Sequence, residues 1–169
     1  GDASFGWAVG NSGTILATDD GGANWSVQNL PAGWVLDDLT GVSFGSMYAG
    51  LAVASSGNVY SYFSGDWKLE VTPNTGAEGY PLHGVSFLGD TYASVVGDNG
   101  TILAGDYNQE GGWTWSAQTS STTNSLRGIS MDASRTRGWA VGDSGTILAY
   151  ESGSWTAVDM GPDFNADLS

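Results

Sequence analysis

A chain of 169 residues with 40% hydrophobic residues, eight Trp among them, is long enough to bury one real core. Its 18 acidic against four basic residues give a net charge of −14, a field that repels nucleic acids and anionic membranes. With no Cys, disulfides, zinc–thiolate sites and thiol nucleophiles are excluded; a single His nearly excludes a His-based triad or metal cluster, and no cofactor or metal is expected.

In chain order, residues 6–25 read GWAVGNSGTILATDDGGANW. This is a strand at 6–10, a tight Ser12-Gly13 turn, a strand at 14–17, an acidic glycine turn and Trp25. A second unit opens on LTGVSF at 39–44, with strands at 50–54 and 58–62 around Ser56-Gly57, then Trp67. A third opens on LHGVSF at 82–87, with strands at 92–97 and 101–104 around Asn99-Gly100, then Trp115. A fourth opens on LRGISM at 126–131, with strands at 138–142 and 146–150 around Ser144-Gly145, then Trp155. The turn glycines Gly13, Gly57, Gly100 and Gly145 are 44, 43 and 45 residues apart, and Gly41, Gly84 and Gly128 are 43 and 44 apart. No stretch has helical periodicity, and no apolar run approaches the roughly 20 residues of a membrane-spanning helix.

Two landmarks with one period and four short strands per unit predict an all-β chain, a β-propeller of four-stranded antiparallel blades. The repeats span about 1–38, 39–81, 82–125 and 126–169, expected as a single propeller domain or propeller segment. The first repeat lacks its inner strand, and ADLS at 166–169 matches DDLT at 37–40, which leads into one. Three arrangements stay open: a nearly closed small ring, a segment of a larger propeller, or an open edge paired with another chain. Each Trp after the third strand, Trp25 included, is expected to pack on its blade and lock it to a neighbour. Truncating Trp25 would then cost roughly 3–5 kcal/mol.

The motif GWAVGxxGTILxTxDGGxxW resembles the blades of the plant and cyanobacterial photosystem II stability/assembly factor family. Thr18, Asp20, Gly22 and Trp25 also match an Asp-box of the BNR type, a structural device in which the Asp accepts backbone N–H groups across a turn. The family resemblance implies a propeller fold and a partner held with the help of an arginine-rich patch. The arginines here are Arg127, Arg135 and Arg137.

Catalysis finds little support in the residues. Arg135 and Arg137 share one loop, so a sialidase-like convergence of three Arg is not expected. Asp37, Asp38, Asp98, Asp143, Asp163 and Asp167 offer carboxylates for a glycosidase pair, against their plainer reading as turn and loop residues. Repeat alignment places Thr40, His83, Arg127 and Ser169 at one position opening the inner strand, a channel mouth able to bind an anion; the plainer reading is side chains that fill the channel. Trp34, Tyr80, Tyr107 and Trp113 fall in connecting loops as candidate partner anchors. Asn24-Trp-Ser and Asn99-Gly-Thr match glycosylation acceptors but lie in repeat turns, and TDDGG at 18–22 lacks the ligand ladder of a calcium loop.

The expected function is a non-catalytic, extracytoplasmic scaffold or binding module for a protein partner or further copies of itself, without nucleic-acid binding or membrane insertion. The alternative is a carbohydrate-binding or glycoside-hydrolase-related propeller. Neutral polar residues, acidity and a single Lys (Lys68) favour an extracytoplasmic setting over a salt-adapted cytoplasmic one.

Overall fold

A computed structural model describes residues 4–28, 30, 37–72, 79–161 and 166–168. Its regular structure is four antiparallel sheets in chain order. Blade one has three strands, β1 (Gly6–Gly10), β2 (Thr14–Thr18) and β3 (Ser26–Gln28). Blade two has β4 (Leu39–Ser46), β5 (Ala49–Ala54), β6 (Val59–Phe63) and β7 (Asp66–Glu70). Blade three has β8 (Leu82–Leu88), β9 (Tyr92–Gly97), β10 (Ile102–Asn108) and β11 (Gly112–Gln118). Blade four has β12 (Leu126–Met131), β13 (Arg137–Gly142), β14 (Ile147–Glu151) and β15 (Ser154–Ala157). Each four-stranded sheet is a meander, and among the described residues blade one has three strands, without an innermost one, as its sequence predicts. Among the described residues there is no helix long and apolar enough to cross a membrane.

The LxGVSF segments form β4, β8 and β12, which pack side by side in succession. Their glycine is required by a close approach. A Cβ on Gly41 would lie 2.9 Å from the His83 carbonyl, and one on Gly84 3.1 Å from that of Arg127. The serine two residues on closes the same seams. Ser43 Oγ accepts the Phe87 N–H at 3.2 Å, and Ser86 Oγ accepts the Met131 N–H at 3.1 Å. One repeat therefore supplies both the space and the hydrogen bond for the next.

The tight turns carry their sequence signature. Ser12-Gly13, Asn99-Gly100 and Ser144-Gly145 all have positive φ, between 54° and 69°, as a two-residue hairpin with matching twist requires. In the last two the turn residues form short 3-10 segments, Asp98–Gly100 and Asp143–Gly145.

The core is divided among the seams between blades. Ile15, Leu39, Tyr60 and Trp67 cluster between blades one and two. Leu51, Val53, Leu82, Val95 and Leu103 cluster between blades two and three. Val96, Leu126, Leu148 and Trp155 cluster between blades three and four. In each seam the Trp of the later blade faces the earlier one. Trp67 meets the blade-one Trp7 edge-on at 6.2 Å, while Trp7 stacks on Phe44 at 4.1 Å. Trp155 donates its indole N–H to Gln118 of blade three at 2.7 Å.

This polarity corrects the expectation for Trp25. Trp67 and Trp155 are 6% exposed, whereas Trp25 is 46% exposed. Trp25 faces away from blade two, and among the described residues no blade stands on that side to cover it. Trp139, which matches Trp7 in register, is 55% exposed on the opposite face of blade four. No core cluster among the described residues joins blade four to blade one, and over those residues the four sheets follow one another as an arc of blades.

Candidate functional site

The hairpin register brings one polar cluster together at the start of the inner strands. Leu82 pairs with Gly97, and Leu126 with Gly142. His83 and Arg127 are the irregular residues just after those pairs, and their side chains reach back to Asp98 and Asp143, which follow Gly97 and Gly142 in the same blades. The Arg127 guanidinium is bidentate on Asp143, Nε to Oδ1 and Nη2 to Oδ2 at 2.8 Å each. Its Nη1 lies 3.6 Å from Asp98 across the seam. His83 Nε2 is 2.7 Å from Asp98 Oδ1 and 2.8 Å from Arg127 Nη1. One ring nitrogen serves one of these at a time: protonated it donates to Asp98, deprotonated it accepts from Arg127. Thr40 stands beside this ladder and donates its hydroxyl to the Leu82 carbonyl at 2.6 Å.

The electrostatics follow from that pairing. Asp143 is held below the ordinary carboxylate range, first by the Arg127 hydrogen bond. For Asp98, burial pushes upward, but hydrogen bonds from His83 and Ser125 outweigh it and the net direction is down. Arg127 is raised, chiefly by its bond to Asp143. An incoming anion would meet a guanidinium already neutralised by two carboxylates.

Sequence alignment thus placed Thr40, His83 and Arg127 at one position, and the structure brings the three adjacent. Ser169 lies outside the described residues. The acidic half of the ladder was missed, because Asp98 and Asp143 read as turn formers. The signal was available: each directly follows the strand that pairs with the segment carrying His83 or Arg127.

The other carboxylates clasp the fold. Asp38 Oδ1 accepts the Ser12 N–H and Asp167 Oδ1 the Ser144 N–H, both at 2.8 Å, tying each linker to the preceding blade's turn. Asp37 differs from its expected place in a solvated loop. It is 6% exposed and accepts hydrogen bonds from Ser56, from Asn58 at 3.0 Å and from the Tyr60 hydroxyl at 3.1 Å. Burial, with the Asp37 charge second, pushes the Tyr60 phenol up to about 12. Asp163 lies outside the described residues.

In the blade-one turn, Asp20 Oδ1 accepts the Asn24 N–H at 2.9 Å and the Thr18 hydroxyl at 2.8 Å, and its Oδ2 accepts the Asn24 side-chain amide at 2.7 Å. The two Asn24 bonds lead in lowering the Asp20 carboxyl to about 2. The Gly22 N–H donates to Thr18 Oγ1 at 3.0 Å. Of the aromatics expected in connecting loops, Tyr80 is exposed, whereas Tyr107 and Trp113 lie in strands instead, paired across the β10–β11 hairpin. Tyr107 and Trp113 are half-buried in the outer seam between blades two and three, their rings 5.5 Å apart. Trp34 lies outside the described residues.

Radially successive four-stranded meanders, joined through their inner strands and sealed by seam aromatics, define β-propeller blades. No family model matches the chain. It is 30% identical over 149 residues to the photosystem II assembly protein Ycf48 of Synechococcus sp. (strain JA-2-3B'a(2-13)), a match covering 88% of this chain and 40% of that protein. Two solved structures share the fold. One, described as YCF48 bound to D1 peptide, has a TM-score of 0.69 at 21% identity, covering 96% of this chain and 52% of the other. The second, YCF48 from Cyanidioschyzon merolae, has a TM-score of 0.67 at 14% identity, covering 93% and 56%. Over its repeats the chain is thus homologous to a photosystem II assembly protein, and it shares the β-propeller fold of both solved structures. It spans 40% of the curated relative's length and just over half of each solved chain.

Proposed function

We propose that the chain is a non-catalytic, extracytoplasmic β-propeller scaffold that binds protein. The observation that carries this reading is the homology over 149 residues to a protein named for assembly rather than for a catalysed reaction. A solved propeller of the same fold is described with a bound D1 peptide, which supports a peptide or protein as ligand. The chemistry agrees. The candidate carboxylates with described positions are engaged in clasps and ion pairs, so none is poised as the acid–base pair a glycosidase needs. The Asp20 turn acts as an Asp-box, a structural device of blade one. Thr40, His83, Arg127 and Ser169 form the proposed polar contact at the inner-strand mouth, with Trp34, Tyr80, Tyr107 and Trp113 as outer anchors. The exposed Trp25 and Trp139 faces are proposed sites for further blades, supplied by another copy or a longer propeller.

Cross-linking mass spectrometry on the chain in the cells that produce it tests this reading. Reproducible links from one identified protein to residues flanking the mouth or the outer seams are expected. Turnover of a glycoside, lost in Asp37→Asn or Asp38→Asn, would overturn it.

A further inference from the structure

The outer seam between blades two and three encloses a cavity of about 270 Å³. That is slightly below the roughly 300–1,000 Å³ of drug-sized sites, and suits one side chain. Four rings run along it: Phe63 to Tyr107 at 6.3 Å, Tyr107 to Trp113 at 5.5 Å, and Trp113 to Phe87 at 5.8 Å. Asp66, Glu70 and Asp90 also line it, against one cation, Lys68. Lys68 is tethered 3.3 Å from the buried Glu70. Asp90 Oδ2 accepts from Ser46 at 3.0 Å, and its Oδ1 is buried with no partner among the described residues.

The next seam shows what such a place holds. The bonds Tyr107 N–H to Thr91 O and Ser152 N–H to Thr136 O make Thr91 and Thr136 equivalent. The residues before them, Asp90 and Arg135, are then equivalent too, and have φ of 60° and 62°. In the seam between blades three and four, Arg135 lies over the Tyr92 ring at 4.7 Å. Its Nη2 donates to Thr91 at 2.8 Å and its Nη1 to Asp106 at 3.4 Å. Tyr92 pairs with Asp106 across its hairpin; the matching pair in blade two is Ala49 with Phe63. Alanine in place of tyrosine leaves the volume open, and aspartate in place of arginine removes the cation.

We propose that this cavity receives an arginine side chain from the protein partner, its guanidinium stacked on the ring faces and bonded to the cavity carboxylates. Ring faces attract a cation and carboxylates pair with it. A planar guanidinium does both at once, as Arg135 does one seam away. That the arginine arrives on a protein rests on the proposed function; the preference for a guanidinium does not.

The test is a ¹⁵N-NMR titration of the whole chain with Ac-Gly-Arg-Gly-NH₂. Shifts concentrated at the Trp113 indole and the Asp66 and Tyr107 amides are expected, with binding at least tenfold weaker for the citrulline peptide. Ala49→Tyr, which installs the residue of blade three, abolishes binding; Lys68→Met, which removes the competing cation and leaves the core untouched, strengthens it several-fold. Equal response to arginine and citrulline, or shifts remote from the seam, would overturn the assignment whatever cross-linking finds. Guanidinium binding at the seam in a chain that cross-links to no protein would instead overturn the protein partner and leave the pocket's preference standing.

Discussion

Gln28 pairs with Ile15 and Glu70 with Val59 at matching positions, so Trp25 and Trp67, each three residues earlier, are equivalent, and yet their surroundings differ. What decides their energetics is the presence of a preceding blade. Trp67→Ala or Trp155→Ala removes a buried ring from a seam and is expected to cost roughly 3–5 kcal/mol. Trp25→Ala removes a half-covered ring and is expected to cost under about 1.5 kcal/mol. Urea unfolding of the three variants checks the difference. Tyr60 offers a pH signature. Its folded pKa, about 12, lies above the ordinary 10 because the anion is disfavoured by burial and by Asp37. Its contribution is therefore complete below pH 10 and lost as pH rises from 10 to 12. The urea midpoint of the wild type should fall through that window, and Tyr60→Phe should flatten the fall.

The inner strand is the element on which assembly of the arc depends. Its glycine lets neighbouring backbones approach, its serine bonds the next blade, and the residue after its leucine carries the polar ladder. Gly41→Ala places a methyl 2.9 Å from a carbonyl oxygen that belongs to the backbone and cannot swing aside. A loss of about 1–3 kcal/mol is expected. Gly10→Ala is the control, since its nearest neighbour would be 3.9 Å away. Thermal unfolding of the two variants should separate them by several degrees.

For the molecule as a whole, a charge of −14 on 169 residues sets long-range behaviour. Association with a basic partner is expected to be steered, its on-rate falling about tenfold or more between low salt and about 0.5 M salt while the off-rate changes less. Stopped-flow measurements across that range provide the check. The two end faces of the arc expose Trp25 and Trp139, one on each side. They present the two halves of the seam that recurs inside: Trp139 matches Trp7, and Trp25 matches the Trp67 it meets.

Repetition is what made the fold legible. Period, turn pairs and the LxGVSF strand are local patterns, and copying them four times ties each to one architecture. The alignment of Thr40, His83 and Arg127 was legible for the same reason, since equal positions in equal blades converge. What alignment could not supply is what each side chain meets across a seam, because seams join residues about 44 positions apart with different partners each time. Thus Trp25 and Trp67 are equals in sequence and opposites in burial, Asp37 is drawn inward by Tyr60, and Arg127 is neutralised by carboxylates that read as turns. The empty seam beside Ala49 belongs to the same class, for a void exists only where two blades meet. Local chemistry repeated in the chain determined the blade; packing between blades, which depends on neighbours the repeat does not specify, decided which side chains are buried, paired or left free to bind.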